Sequence, residues 1–357
     1  MGIETLTRGA KRSYEQWTLD NPGLGIDQLF FPTDDIDTSA AFAMDRFTHQ
    51  PHGVVFRNPN NQSQVRPFQA GTGYIYEVPI ASEKTAIDET LKDQKALGLE
   101  STDPQRMHII KIMNDIIRDH AIGHRMTKYY QAINVIRNGI YYALGPGGVD
   151  LGLSVNYTRA AGNSTTALFT GIGAIDMETA LTNIYNILMA QGCPATNLIY
   201  IMGSSWLAEF ASDATIQKWI VANQQNAMLY QTMIPPQLRN VPGLVVVAVY
   251  RAIGMLSPIT ICMYNPGVQY TAYNGAGAVD WIAATECIAT SLDSPRYRVM
   301  RGVEAFTETG AILRQAGEVI FDTFHENDPI TDFIRSQSRH IYIPANINHT
   351  VKSVGTF

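Results

Sequence analysis

At 357 residues the chain is too long for one small core and is sized for two compact lobes, taking roughly 100–200 residues per domain. It is 45% hydrophobic and 10% aromatic, as a folded protein is, but its 16% of charged residues falls below the ~25% usual for soluble domains, so some surface is expected to be lost to neighbours. A net charge of -6 leaves no basic excess for neutralising phosphates, which argues against a dedicated nucleic-acid binder, and Cys193, Cys262 and Cys287 lack the pairing or CxxC spacing of a disulfide framework or zinc site.

The start, MGIETLTRGAKRSYEQW, has no apolar signal region, and no run approaches the ~18–20 apolar residues that span a bilayer. Use in cytosol-like, reducing solvent is the expectation. Arg8, Lys11 and Arg12, like Arg296, Arg298 and Arg301 near the end, read as solvated or salt-bridged faces. Residues 1–47 carry Pro22, Gly23, Gly25 and Pro32 among short apolar pieces such as LFFP, a pattern suited to an extended arm lying on other subunits. Within residues 48–82 two strand-like runs, VVFR and YIYEVPI, flank a tract rich in Asn and Gln, which predicts a long two-stranded protrusion that needs a surface to lie on.

The strongest local signal follows. Asp103 stands as a helix N-cap and Pro104 at the first helical position, with Ile109, Ile112, Met113, Ile116 and Ile117 at helical spacing. Ile133, Ile136 and Ile140 continue the pattern to Gly145-Pro146-Gly147-Gly148, predicting a helix of about 40 residues, or ~60 Å, over 103–144. Gly123 in its middle marks a kink or a close contact, and Tyr129, Tyr130, Tyr141 and Tyr142 are expected to pack between lobes or subunits.

A second helix is predicted from Asp176 to Gln191, capped by Asp176 and stopped by Gly192 and Pro194, with Ala180, Ile184, Ile187 and Leu188 facing the core. Asn197 to Met202 reads as a buried strand, Ser204 as a cap, Ser205 to Ser212 as a helix, and LVVVAVY and ITICMY as two further buried strands. This alternation makes residues 176–290 one α/β lobe. From Ser291 onward RYRVMRGVEAF, AGEVIFDTFHEN and SRHIYIPA read as antiparallel strands that join the long helix and hairpin in a second lobe, interrupted by the first.

The chemical motifs are incomplete. His120 and His124 share a helix face at the spacing of a metal pair, but the sequence is HAIGH, without the glutamate of HExxH, so they read as helix-surface or interface histidines. Gly203-Ser204-Ser205-Trp206-Leu207 has the strand-to-helix context of a nucleophile elbow without its second glycine, and helix capping accounts for both serines. AGTGY at residues 70–74 precedes a strand and is a turn, while Asp88, Glu89, Glu304 and Glu308 form no evident acid/base couple. No catalytic, cofactor-binding or metal residue is singled out, no cofactor is implied, and the chain is expected not to be an enzyme.

The order of elements, an apolar-proline arm, a polar hairpin, one very long helix, an α/β lobe and a strand-rich return, resembles the Hong Kong 97-like capsid fold. LFFPTDDIDTS is similar to the arm of the lambda-like major capsid protein E family of tailed bacteriophages. YEVPIASEKTAIDETLKDQKA leading into DPQRMHIIKIMNDIIRDH resembles that family's passage from protrusion to long helix, and DFIRSQSRHIYIPANINHTVKSV its closing element. The resemblance implies an α+β fold with an N-terminal arm (1–47), an extended loop (48–82), a peripheral domain (83–175, with spine helix 103–144, and 291–357) and an axial domain (176–290). It further implies a head protein that assembles, without covalent cross-links, into hexamers and pentamers of an icosahedral shell around double-stranded DNA. Portal, scaffolding and decoration proteins would be partners, DNA would be touched non-specifically at the inner face, and assembly would take place in the host cytoplasm. The alternatives are a tail or portal protein and, more remotely, a metal-dependent hydrolase using His120 and His124.

Overall fold

The computed structural model describes residues 25–37, 41–46, 72–87, 104–143, 152–171, 173–223, 234–239, 241–251, 255–265, 270–271, 278–279, 281–306, 312–327 and 330–357. The helices are α1 (Ile26–Phe30), α2 (Pro104–Asn138), α3 (Met177–Ala190), α4 (Ser204–Ser212) and α5 (Ala214–Asn223). A central sheet holds β1 (Thr33–Asp37), β4 (Ile80–Ile87), β14 (Arg296–Arg301), β17 (Ile320–Asn327) and β18 (Ile330–Pro344). A six-stranded sheet holds β7 (Ser164–Leu168), β8 (Leu198–Met202), β9 (Leu244–Tyr250), β10 (Ile259–Tyr264), β13 (Glu286–Ser291) and β19 (Thr350–Thr356) in the order β7-β19-β13-β8-β10-β9. Four small pairs complete the set: β2 (Ala41–Arg46) with β3 (Thr72–Glu77), β5 (Ile140–Tyr141) with β6 (Val155–Asn156), β11 (Tyr270–Thr271) with β12 (Ala278–Val279), and β15 (Val303–Phe306) with β16 (Ile312–Gln315).

The long strand β18 organises the central sheet. Its first part pairs antiparallel with both β17 and β4, its last residues pair with β14, and β14 carries β1 in parallel. In the six-stranded sheet β8 lies between β13, antiparallel, and β10, parallel. Its unbroken apolar run, LIYIM, suits a strand covered on both faces. Leu198, Tyr200 and Met202 meet Met177, Leu181 and Leu188 of α3 and Trp206 and Phe210 of α4. Ile199 and Ile201 face a second core shared with Val135 and Ile136 of α2 and with Val299, Ile341 and Ile343 of the central sheet. The two sheets thus share one of their cores.

Several expectations from the sequence are corrected by these contacts. Segment 25–37 is no free arm: Ile26, Phe30 and Phe31 are buried in the shared core and β1 is hydrogen-bonded into the central sheet, because three large apolar side chains gain more from burial there than from an extended path. YIYEVPI is two strands, broken where Pro79 cannot donate to a ladder, and its first half pairs with β2; VVFR lies outside the described residues. The six-stranded sheet takes β7 and β19 from outside residues 176–290.

The long helix ends at Asn138 and not at 144, giving 35 residues and about 50 Å. Gly139 adopts the left-handed φ of 71° and donates its N–H to Val135 O at 2.9 Å, closing the helix with an αL cap, so that Ile140 opens β5. The Arg159 guanidinium binds the freed carbonyls of Arg137 (2.8 Å) and Ile136. The proposed cap Asp103 and the Gly-Pro stop at 145–148 lie outside the described residues. By contrast α3 forms as expected, the Asp176 carboxylate accepting the Thr179 N–H at 2.7 Å.

Candidate functional site

Buried positions recur along α2 every three or four residues: Met113, Ile117, His120, Ala121, His124, Lys128, Gln131, Ala132 and Val135. The stripe is apolar at both ends and polar in the middle. Facing it, residues two apart on β18 alternate onto one side, and Ile334, Ser336, Ser338, His340 and Tyr342 are all buried. Ile334 joins Met113 and Ile117 in an apolar cluster with Ile87 and Phe321, while Tyr342 joins the core shared by the two sheets. The polar parts of helix and strand therefore meet each other at the same level.

His120 and His124 are not surface histidines. His120 Nε2 lies 2.7 Å from Thr85 Oγ1 of β4, and its Nδ1 lies 3.0 Å from Ser336 Oγ. His124 Nε2 lies 3.0 Å from the same Ser336 Oγ, and its Nδ1 lies 2.9 Å from Ser338 Oγ. All four ring nitrogens face hydroxyls, which leaves neither imidazole a free lone pair aimed at a shared metal. Among the described residues no group of three His, Cys, Asp or Glu side chains is placed to hold an ion. Burial lowers the pKa of both histidines; for His120 the nearby Glu83 and Asp119 oppose it, whereas for His124 the Lys128 charge adds to it and the value falls to about 4. His340 lies edge-on to Tyr141 and Tyr342, its pKa lowered by burial and by Lys128. The seam is thus built for neutral imidazoles. Ser336 beside His120 has the form of an activated hydroxyl but is fully buried.

Beside the seam stands a charged cluster. The Arg298 guanidinium of β14 grips Asp34 of β1 through two hydrogen bonds of 2.7 Å, and its Nη1 reaches Glu318 at 3.1 Å and Asp27 of α1 at 3.3 Å. Burial alone would lower the Arg298 pKa, but the Asp34 hydrogen bonds with Asp27 and Glu318 outweigh it and hold the cation charged. Tyr342 donates its hydroxyl to Asp27 at 3.2 Å, and the Lys128 ammonium lies 3.9 Å from Glu318. Segment 25–37 is therefore fastened by ions as well as by apolar side chains.

The remaining sequence candidates fall into structural places. The group Arg296, Arg298 and Arg301 is buried, not solvated: Arg301 pairs with Asp35 at 2.9 Å, and Arg296 donates to Ser291 O at 3.0 Å and to the Thr290 hydroxyl. Neither serine after Gly203 caps α4 with its side chain. Gly203 is the N-cap, and Ser205 N–H donates to Ala284 O at 3.0 Å. A Cβ at Gly203 would stand 2.1 Å from Ala283 O, so the close backbone approach requires glycine there. A Cβ at Gly123 would stand 3.4 Å from Glu83 Oε2 of β4, an ordinary spacing that does not itself require glycine. Tyr141 is in the core, donating to His340 O at 2.8 Å, and Tyr129 and Tyr130 pack partly buried beside it. Glu304 pairs with Arg314 on the β15–β16 hairpin, while Arg8, Lys11, Arg12, Asp88, Glu89 and Glu308 lie outside the described residues. Sequence reasoning missed Ser336, Ser338, His340 and Asp27. The only local signal was the two-residue alternation of Ser336, Ser338 and His340, which says nothing of what faces it.

No protein-family model and no curated protein matches the sequence. Solved structures do match the fold. The "putative capsid protein of prophage (E. coli CFT073)" aligns with 96% of this chain and 98% of its own, at 15% identity and a TM-score of 0.58. The mature capsid of bacteriophage PhiM1 covers 91% of this chain and 85% of its own at 12% identity and a TM-score of 0.45. The holo-SrpI encapsulin complex from Synechococcus elongatus PCC 7942 covers 90% and 84% at 8% identity and a TM-score of 0.42. At such identities the likeness is one of fold: the chain has the α+β, Hong Kong 97-like fold of phage capsid proteins, as its sequence resemblance implied.

Proposed function

We propose that this chain is the major capsid protein of a tailed bacteriophage, a structural subunit and not an enzyme. The observation that carries the proposal is the end-to-end likeness of fold, 96% of this chain against 98% of the prophage protein. The sequence resemblance and the low share of charged residues point the same way. In this reading the six-stranded sheet with α3, α4 and α5 forms the axial part, and α2 with the central sheet the peripheral part. The remainder of the N-terminal arm and the extended loop lie across neighbouring subunits. Hexamers and pentamers held without covalent cross-links, with interfaces above ~2,000 Å² per pair, close into an icosahedral shell around double-stranded DNA. The shell belongs to the virion and is assembled in the host cytoplasm, with a portal at one vertex and scaffolding and decoration proteins as further partners.

The test is electron microscopy of the chain expressed alone and with candidate scaffolding protein, with mass from light scattering and a nuclease-protection assay for enclosed DNA. Closed shells or five- and six-fold capsomers, able to protect DNA when made in an infected host, are the expected result. Rings of one fixed symmetry would indicate a portal protein, tubes a tail protein, and shells that enclose protein cargo and never DNA a compartment. A small soluble species that never assembles would overturn the proposal altogether.

A further inference from the structure

One unbroken run of hydrogen bonds joins α2 to β4 and β18: Thr85, His120, Ser336, His124 and Ser338, in that order, at 2.7, 3.0, 3.0 and 2.9 Å. A neutral imidazole offers one N–H donor and one bare acceptor nitrogen, and a hydroxyl offers one hydrogen and its lone pairs. The run is therefore satisfied with both rings neutral whenever its hydrogens all point the same way. In one sense Thr85 donates to His120, His120 to Ser336, Ser336 to His124, and His124 to Ser338; the reverse sense serves equally. A proton added at His120 makes that ring a donor at both ends, and the half-buried Thr85 hydroxyl turns outward to accept it. A second proton, on His124, changes the run in kind. Ser336 would then accept from both rings, and its own hydrogen, fully buried, would lose both neighbours.

The charges around the run act in the same order. Glu83 of β4, whose Oε1 lies 4.0 Å from His120 Nε2, and Asp119 of α2 favour the first proton on His120. Against the second stand a protonated His120 and Lys128 on the helix. Next in the seam come His340 of β18, itself disfavoured as a cation by Lys128, His124 and Arg298, and then Arg298 of β14. Asp27 of α1 and Glu318 before β17 are already engaged by Arg298, with Glu318 also facing Lys128. Among the described residues the six-stranded sheet holds no such run of imidazoles and hydroxyls: β8 buries five residues without an acid or a base that titrates in the acid range, and the buried Glu286 of β13 is engaged by Arg137 and Lys352.

We propose that this run is an acid-released latch: it closes the seam between α2 and β18 while His120 and His124 are neutral, and the second proton, which Ser336 cannot accommodate and Lys128 repels, opens the seam while the six-stranded sheet stays closed. The inference concerns the folded chain itself and holds independently of shell formation.

Hydrogen exchange read by mass spectrometry on the full chain, corrected for the intrinsic pH dependence of exchange, tests it between pH 7 and about pH 4. Peptides from 113–131 and 330–344 are expected to lose protection by about tenfold or more on acidification, while those from 198–202 and 259–264, which carry no group titrating in this range, keep theirs. The His120→Gln/His124→Gln variant, whose amides keep a donor and an acceptor but do not titrate, is expected to abolish the selective loss. Uniform loss in both regions, no loss in α2, or the same acid response in the double variant would overturn the latch. Should that variant not fold, exchange at the histidine C2 positions of the unaltered chain decides: His124 titrating well below 6.5, together with the opening of α2, supports it, and titration at the ordinary value refutes it.

Discussion

β8 and β18 each run through the interior of a sheet, and they are buried by opposite means. β8 places Leu198, Ile199, Tyr200, Ile201 and Met202 among apolar side chains on both faces, so any neighbour of about the right volume contributes. β18 sets Ser336, Ser338 and His340 against the polar middle of α2, where each ring nitrogen of His120 and His124 depends on one particular hydroxyl. Dispersion and burial are graded and tolerant, whereas a buried polar network is stable only when all its members are satisfied. The two halves of the chain should therefore respond to different perturbations.

The largest effect is expected where the polar half carries charge. Arg298→Ala leaves Asp27 and Asp34 without their cation and should destabilise the unassembled chain by about 3–5 kcal/mol in denaturant unfolding. A loss below about 1 kcal/mol would mean that the cluster contributes little and that segment 25–37 is held by its apolar side chains alone. In the apolar half, Ile201→Ala should cost about 2–5 kcal/mol through the cavity it leaves, by the same amount at pH 7 and pH 5.

Acid should separate the two halves without any mutation. His124 is neutral in both folded and unfolded chains above its ordinary 6.5, so nothing changes there. As pH falls from 6.5 to about 4 the unfolded chain takes up a proton that the folded one refuses, so stability declines through that window by roughly 3 kcal/mol and then levels off. Urea midpoints measured across the window check this, and a midpoint that does not move would mean that His124 titrates normally. Ser336→Ala removes the one hydroxyl shared by both imidazoles and is expected to cost about 2 kcal/mol at pH 7, even though it deletes a single oxygen. The smallest effect, about 1 kcal/mol, belongs to Asp176→Ala, which loses only the cap of α3.

Legibility in the sequence followed the range of the interactions. The helix from Asp176, the strand before Gly203 and the start of α2 at Pro104 were readable because caps, prolines and apolar spacing act within a few residues. The end of α2 was misread because Ile140 kept the apolar spacing while Gly139, one residue earlier, took the left-handed turn. The pair His120 and His124 was visible but its meaning was not, since a four-residue spacing is the same whether the rings face a metal, solvent or a strand.

What the sequence by itself determined about this protein is its local elements, its two-sheet composition and, through the resemblance of its arm, helix and closing strand, its capsid fold. Only the tertiary structure decided that segment 25–37 enters the core, that β7 and β19 complete the six-stranded sheet, and that His120 and His124 of α2 find hydroxyl partners inside the protein. The physical reason is separation along the chain. His124 and Ser338 stand 214 positions apart, and Arg298 and Asp34 stand 264 apart, so no periodicity in either segment could encode its partner.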